Sequence, residues 1–238
     1  MNIKNKDTEG VNISINTDKK NYLNLIRDIK ILGKKYENLS NVNNLKYSTV
    51  VNFQRKPFMR VAGWCSRVID DNGKVSEVFF GDYDNCLFRI VESEMKYIME
   101  EYNMPPVMIF KSSKTSESID NNGEVYGNYL VISLGKNSFR DVVKMQNELH
   151  IDEAFKNVKL VYRFKTAVLR LGPKGKKSAP VFKCIIGDLN KEYNKESSKA
   201  HLDVLKELYP EIPYVKYTNL DNGDKSKLYV AEYTTAST

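Results

Sequence analysis

Two carboxylates, Asp82 and Asp84, end an apolar stretch that begins at Val78, and carboxylates at this spacing could hold a metal ion. Side chains alternate along a strand, so both would point to the same side. Two carboxylates on one side repel each other unless a cation lies between them, and Mg²⁺ and Mn²⁺ prefer oxygen ligands. Gly, Asp and Asn are also common turn residues. The pair therefore predicts either a divalent-cation site at a strand end or an ordinary polar turn.

A second candidate is the basic turn of residues 172–177, with the sequence Gly-Pro-Lys-Gly-Lys-Lys. It joins two predicted strands, residues 159–171 and 179–186, so it cannot belong to the core. Cations on a flexible turn suit contact with phosphates, although a soluble hairpin tip has the same composition. The cations predicted to bind nucleic acid are Arg163, Lys165, Lys174, Lys176 and Lys177.

A third candidate is the polar loop that follows a predicted strand at residues 107–111. Its first residues, Ser112, Ser113, Lys114, Thr115 and Ser116, offer hydroxyl groups and one cation. These groups suit a phosphate, but a polar surface loop explains the same residues.

The whole chain has the composition of a globular protein, with 41% hydrophobic and 28% charged residues in 238. Its 37 Lys and Arg against 30 Asp and Glu give a net charge of +7, which favours an acidic partner, nucleic acid first. The two histidines form no His-x-His pair, which disfavours His-rich zinc sites and Ser-His-Asp hydrolysis. Three separated cysteines suggest no disulfide framework. With no apolar run of about 18 residues, we expect an intracellular, cytoplasmic protein without a membrane partner.

The elements that must position these residues alternate between strand and helix in the middle of the chain. Apolar spacing and turn signals predict the order strand, helix, strand, strand, helix, strand. This order predicts an α+β fold with a ferredoxin-like, RNA-recognition-motif-like (RRM-like) palm, in which the Asp82 strand lies beside residues 128–134 and 159–171.

Outside the palm, we expect an N-terminal strand, a helix at residues 19–38 and a hairpin that leads into the Asp82 strand. A C-terminal α/β accessory lobe would contain a helix at residues 197–208, and a hairpin of residues 213–217 with 227–233. The corresponding divisions are residues 1–46, 47–190 and 191–238, which we expect to form one compact unit.

Three short motifs resemble those of the archaeo-eukaryotic primase superfamily, the primase-polymerase group of many plasmids and viruses. They are Phe-Phe-Gly-Asp-Tyr-Asp at residues 79–84, Gly-Asn-Tyr-Leu-Val-Ile at 127–132 and Val-Leu-Arg-Leu-Gly-Pro-Lys at 168–174. The resemblance covers residues 75–186.

This resemblance implies an RRM-like palm and a metal-dependent nucleotidyltransferase of DNA replication that uses Mg²⁺ or Mn²⁺. Asp82 and Asp84 would be the catalytic metal ligands. The expected partners are nucleic acid, DNA rather than RNA, and nucleoside triphosphates. The residues expected to bind the nucleotide are Lys111, Ser112, Ser113, Asn128 and Arg170.

The chain departs from the family pattern at two positions. Leu130 stands where the family has a histidine that contacts nucleotide phosphates, and leucine can neither donate to phosphate nor carry charge. Residues 156–171 contain no Asp or Glu, although the third family motif supplies another acid there, near Tyr162 and Arg163. We therefore expect catalysis to be weak or lost, because two-metal transfer needs ligands that bridge both ions.

Two other functions stay open from the sequence. One is a non-enzymatic replication initiator or single-stranded DNA- or RNA-binding protein, although the aromatic RRM motif is missing from the predicted sheet strands. The other is a metal-dependent nuclease that uses Asp82 and Asp84 with Glu92 or Glu94.

Overall fold

The computed structural model describes residues 12–14, 45–52, 59–156, 167–170, 172 and 177–233 of the chain. These residues form a mixed α+β structure with a curled, mostly antiparallel sheet and few helices. The α+β class predicted from the sequence is therefore confirmed. The predicted helix at residues 19–38 lies outside the described residues.

One side of the sheet joins the two ends of the chain. It contains β1 (Asn12–Ser14), β2 (Leu45–Asn52), β3 (Met59–Ile69) and β12 (Lys225–Tyr233). Strand β12 lies between β2 and β3, parallel to the first and antiparallel to the second. The last described strand is thus integral to the sheet formed by the first ones.

A hairpin leads from β3 into β4 (Val75–Leu87), as the sequence predicts. The Asp70 N–H donates to the carbonyl of Lys74 at 3.1 Å, and Gly73 takes a positive φ of 81°. A residue without a Cβ adopts this conformation at little cost, which is why an Asp-Asn-Gly sequence can close the turn.

The central part of the chain alternates between strands and helices, with a short additional strand at Glu117–Ile119 in the segment predicted to be a polar loop. Strand β4 is followed by α1 (Phe88–Glu101), β5 (Val107–Lys111), β6 (Glu117–Ile119), β7 (Val125–Asn137) and α2 (Phe139–Asn147). Strand β7 pairs with both β4 and β5, and β5 pairs in turn with β9 (Val181–Ile186). The hydroxyl of Ser138 accepts the Asp141 N–H at 3.1 Å, so the predicted cap opens α2.

The edge of β4 differs from the expected arrangement. The described end of the predicted fourth palm strand, β8 (Val168–Arg170), pairs with residues 63–65 of β3. On β4 itself, the Phe80 carbonyl accepts from Gln146 Nε2 at 2.5 Å, and the Asp82 carbonyl accepts the Asp152 N–H at 2.8 Å. A side chain of α2 and the loop after it therefore satisfy backbone groups that a neighbouring strand was expected to bind.

The C-terminal part contains β10 (Ser197–Ser198), α3 (Lys199–Leu208) and β11 (Leu220–Asp221). The helix agrees with the sequence pattern, but the predicted hairpin of residues 213–217 with 227–233 is wrong. The turn after β11 exists, with the Gly223 N–H donating to Asp221 Oδ1 at 3.0 Å. The strand that follows it pairs with β2 and β3 instead of folding back locally.

Both faces of the central strands are covered by apolar side chains. The face that we call the α1/α2 face carries Phe79 and Tyr83 of β4, packed with residues of helices α1 and α2. The opposite face, which we call the α3 face, carries Val78 and Phe80, packed with residues of α3. His201 of α3 is fully buried there and stacks on Trp64 with ring centroids 4.2 Å apart.

Candidate functional site at the end of strand β4

Asp82 and Asp84 lie towards the C-terminal end of β4, at the shift in its pairing with β7 between Tyr83 and Cys86. Phe80 belongs to the α3 face and Tyr83 to the α1/α2 face, so alternation places Asp82 on the α3 face. Asp82 is half-buried and Asp84 is exposed. The carboxylate pair therefore begins at the boundary between the core and solvent.

The electrostatics of Asp82 show which charges surround it. Burial is the largest cause that raises the pKa of Asp82, followed by the negative charges of Asp84 and Asp152. The positive charges of Arg170 and Lys177 act in the opposite direction, and the resulting pKa is about 7. Four charged side chains, three of them distant in sequence, thus act on Asp82.

Asp152 is the member of this group that the sequence did not reveal. Its N–H donates to the Asp82 carbonyl, and its Oδ2 accepts the Phe155 N–H at 2.8 Å. Ile151 packs on the α1/α2 face. The family motif would place a third acid within residues 156–171, whereas the acid that approaches Asp82 comes from the loop after α2. An Asp that caps the turn of residues 153–156 was the available signal.

Asn128 fixes the course of the chain beside the two carboxylates. Its Oδ1 accepts the Asn85 N–H at 2.7 Å, just after the pairing of β4 with β7 shifts register between Tyr83 and Cys86. Asn85 has a positive φ of 48°, a conformation that Asn tolerates better than most residues. The Asn128 side chain is therefore committed to shaping the end of β4.

Ser112 and Ser113 lie on the neighbouring strand end, and their backbone groups are engaged. The Ser112 N–H donates to the Asn128 carbonyl at 2.8 Å, and the Ser113 N–H donates to Ser116 Oγ at 3.2 Å. The Lys114 N–H donates to Ser178 Oγ at 2.8 Å. The Ser112 hydroxyl is buried without a hydrogen-bond partner, and Lys114 is exposed. Within this loop, the Lys114 ammonium group is exposed and could contact an anion, and Thr115 is exposed beside it.

Arg170 connects this loop with the basic turn. Its guanidinium donates to the carbonyls of Ser178, at 2.9 Å, and of Gly172 and Ser112. Lys177 is exposed close by. Of the other cations predicted to bind nucleic acid, Arg163, Lys165, Lys174 and Lys176 lie outside the described residues.

The structure does not bring Lys111 to this group. Phe110 belongs to the α3 face, so alternation turns Lys111 to the opposite side. There its Nζ lies 3.7 Å from Glu117, which also accepts from Tyr129 at 2.9 Å and pairs with Lys183. Lys111 thus belongs to a separate polar cluster.

Leu130 faces Asp82 across the β4–β7 pair. It is 4% exposed and lies among the apolar residues of the α3 face, next to Phe110 on β5. The residue that pairs with Asp82 on the neighbouring strand can therefore supply neither a proton nor a charge.

Glu94, the acid considered for a nuclease, is engaged on the other side of the sheet. It accepts the Tyr83 hydroxyl at 2.7 Å and the His150 N–H at 3.0 Å, and it also contacts the His150 ring. Glu92 pairs with Lys96 at 3.1 Å on α1. The described geometry places neither glutamate with Asp82 and Asp84.

The donor set suits a single hydrated cation. Among the described residues, no three His, Cys, Asp or Glu side chains stand at the spacing of a metal cage. Mg²⁺, however, usually keeps several waters and needs only one or two protein carboxylates together with phosphate oxygens. The mutual repulsion of Asp82 and Asp84, visible in the raised pKa, is what such an ion would relieve.

Comparison of the chain with protein-family models, curated proteins and solved structures gave no match. Within the described part of the chain, the helices lack the combined length and apolarity needed to cross a bilayer.

Proposed function

We propose that the protein binds nucleic acid in association with DNA replication, through a primase-polymerase-like core with a divalent cation at Asp82 and Asp84. One observation carries the proposal: the charges of the neighbouring carboxylate Asp84 and of the cations Arg170 and Lys177 all act on Asp82 in the same part of β4. A phosphodiester or triphosphate needs both features, because a cation bridges its oxygens to carboxylates while basic groups neutralise its remaining charge.

The strand order β5-β7-β4, with α1 and α2 against one face, supports an RRM-like palm at the centre of this proposal. The other face is not available to bases in the way of an RNA-recognition domain, because Phe80, Phe110 and Leu130 are at most 4% exposed beneath α3. Nucleic acid would therefore approach the ends of the strands, where Lys114 and Lys177 are exposed.

The chemistry of this site depends on how many ions it holds. A bound Mg²⁺ or Mn²⁺ would polarise a phosphoryl oxygen and neutralise charge. Asp82 and Asp84 would hold that ion, while Lys177 would balance phosphate charge. Leu130 offers no donor to the phosphates, so we propose that nucleotidyl transfer is weak or absent and that nucleic-acid binding is the main activity.

Calorimetry of Mn²⁺ binding tests the cation site. We expect Asp82→Asn and Asp84→Asn each to weaken binding at least tenfold, because each removes a carboxylate ligand. The matched control is Glu100→Gln, which removes the same charge from an exposed position on α1. Equal affinities in all four proteins would exclude Asp82 and Asp84 as ligands.

Incorporation of labelled nucleotides separates the enzymatic form of the proposal from the non-enzymatic one. With primed and unprimed templates and Mn²⁺, we expect little or no extension alongside measurable oligonucleotide binding. Robust extension that is abolished by Asp84→Ala would show an active nucleotidyltransferase and contradict the role assigned to Leu130.

A further inference from the structure

Arg170 lies between the carboxylates and the basic turn, and its hydrogen bonds differ from those of a phosphate-binding arginine. The sequence resemblance assigns it to the nucleotide. In the structure its two terminal nitrogens donate to three backbone carbonyls, those of Ser112, Gly172 and Ser178. A guanidinium has five N–H donors, and its fork recognises phosphate with two parallel ones. Both terminal nitrogens of Arg170 are thus engaged with carbonyls, through three of its five donors.

The three carbonyls belong to three places along the chain, and Arg170 adds Gly172 to a junction where the pairing of β5 with β9 already brings two of them close. Ser112 follows β5, Gly172 begins the basic turn, and Ser178 ends it. The Lys114 N–H donates to Ser178 Oγ at 2.8 Å and so ties the same junction from the other side. Leu169, the residue before Arg170, is 2% exposed in the α3 face and anchors the strand that carries the guanidinium.

The charge of Arg170 is not neutralised by these bonds, because a carbonyl accepts hydrogen bonds without a net charge. The guanidinium is half-buried and interacts electrostatically with Asp82, as does the exposed Lys177. A half-buried cation is stable only where hydrogen bonds compensate for its lost solvation. The three carbonyls satisfy three of the five donors of Arg170, and the nearby Asp82 interacts favourably with its charge.

We propose that Arg170 is a positioning residue that holds Gly172 and Ser178, which flank the basic turn, to Ser112 at the end of β5. This proposal rests on the proposed nucleic-acid-binding function, and it assigns phosphate contact to the exposed cations Lys114 and Lys177 instead of to Arg170. Removal of Arg170 would release these segments, so the phosphate contacts of Lys114 and Lys177 would be lost together.

The salt dependence of single-stranded oligonucleotide binding, followed by anisotropy, distinguishes positioning from direct contact. Each phosphate contact on a single strand contributes about 0.7 to the slope of log affinity against log salt. We expect Lys177→Ala to reduce the slope by about 0.7, and Arg170→Ala by about 1.4 or more. The double variant should match Arg170→Ala, because the turn is already released.

Arg170→Lys is the decisive conservative variant. Lysine keeps the charge but its single ammonium group cannot span three carbonyls, so we expect it to behave like Arg170→Ala. A loss of about 0.7 in Arg170→Ala, additive with Lys177→Ala and rescued by lysine, would overturn the proposal and establish a direct phosphate contact.

Limited trypsin digestion tests the positioning role without any nucleic acid. We expect cleavage after Lys177 to accelerate at least fivefold in Arg170→Ala and in Arg170→Lys. The matched control is Arg140→Ala, which removes an exposed cation from α2. An unchanged cleavage rate in both Arg170 variants would overturn the proposal even if the wild type binds nucleic acid. Accelerated cleavage in a protein that binds no oligonucleotide would uphold the positioning role and exclude the proposed function.

Discussion

The Asp82 carboxyl group is poised between its protonated and ionised forms at neutral pH. Its pKa is raised to about 7, first by burial and then by the charges of Asp84 and Asp152. A divalent cation must displace the proton that the group would otherwise keep. Binding of Mn²⁺ near pH 7 should therefore release protons and tighten as the pH rises.

Replacing Asp82 by asparagine should change how protein stability depends on pH. Between the ordinary pKa of 3.8 and the folded value of about 7, the folded protein holds a proton that the unfolded chain has lost. The stability of the wild type therefore falls as the pH rises through this window. We expect Asp82→Asn to be more stable than the wild type at pH 8, by at most about 4 kcal/mol, and the difference to shrink towards pH 4.

Urea unfolding between pH 5 and pH 8.5, without divalent ions, measures this difference. Glu100→Gln provides the control, because it removes an acid from an exposed position. If the free energy of unfolding depends on pH in the same way in the wild type and in Asp82→Asn, the pKa of Asp82 is not raised in the folded protein.

Residue types and strand alternation were sufficient to predict part of the site. The strand containing Asp82 and Asp84 and its neighbour β7 follow from local patterns. The approach of Asp152 and the carbonyl contacts of Arg170 do not, because loops with no periodic pattern make them. Lys111 was grouped with the nucleotide by its position in the chain, although alternation from Phe110 turns it to the opposite face.

At the scale of elements, α3 determines which surface of the sheet is free. Leu202, Leu205 and Leu208 recur at helical spacing and pack on the face that also contains Phe80 and Leu130. The amphipathic pattern predicts the helix, but it contains no information on which sheet face the apolar side meets. That choice depends on contacts between segments more than 100 residues apart. One of them is the hydrogen bond that His201 Nε2 donates to the Cys65 carbonyl, 136 positions away.

Leu205→Ala should destabilise the whole described core. Leu205 is fully buried, and truncation of such a leucine typically costs about 2–5 kcal/mol through lost burial and the cavity that remains. Trp64 belongs to the same apolar cluster, so its fluorescence and the circular dichroism should report one shifted transition. Lys206→Ala, at the next and exposed position, should stay within about 0.5 kcal/mol of the wild type.

Two separate transitions in Leu205→Ala, one for fluorescence and one for circular dichroism, would contradict this expectation. They would indicate that α3 unfolds apart from the strands it covers.

At the scale of the whole molecule, the apolar core is continuous across the predicted boundary between residues 190 and 191. Residues on both sides of it, such as Phe110 and Tyr209, contact each other with ring centroids 4.9 Å apart. Strand β12 also hydrogen-bonds with β3 across the same division. Local composition shifts at this point, but packing and strand pairing cross it, and a sequence pattern does not reveal such contacts.

A chain that ends at residue 190 should therefore fail to fold cooperatively. It would expose the α3 face, including Phe80, Phe110 and Leu130, all of which are at most 4% exposed in the full chain. We expect binding of a hydrophobic dye and a broad thermal transition in place of a sharp one. A soluble fragment would contradict this expectation if it unfolds cooperatively and its far-ultraviolet circular dichroism matches the helices and strands it contains. It would then be an autonomous core.

The place of β12 has a consequence for synthesis on the ribosome. Trp64 on β3 donates to Ser226 on β12 at 3.1 Å, a contact between residues 162 positions apart. During synthesis, the side of β3 that pairs with β12 stays unpaired until β12 emerges many seconds later, since translation adds about 5–20 residues per second. The nascent chain thus presents an open strand edge to chaperones and to other nascent chains. Slowing translation late in the message should increase aggregation more than slowing it early.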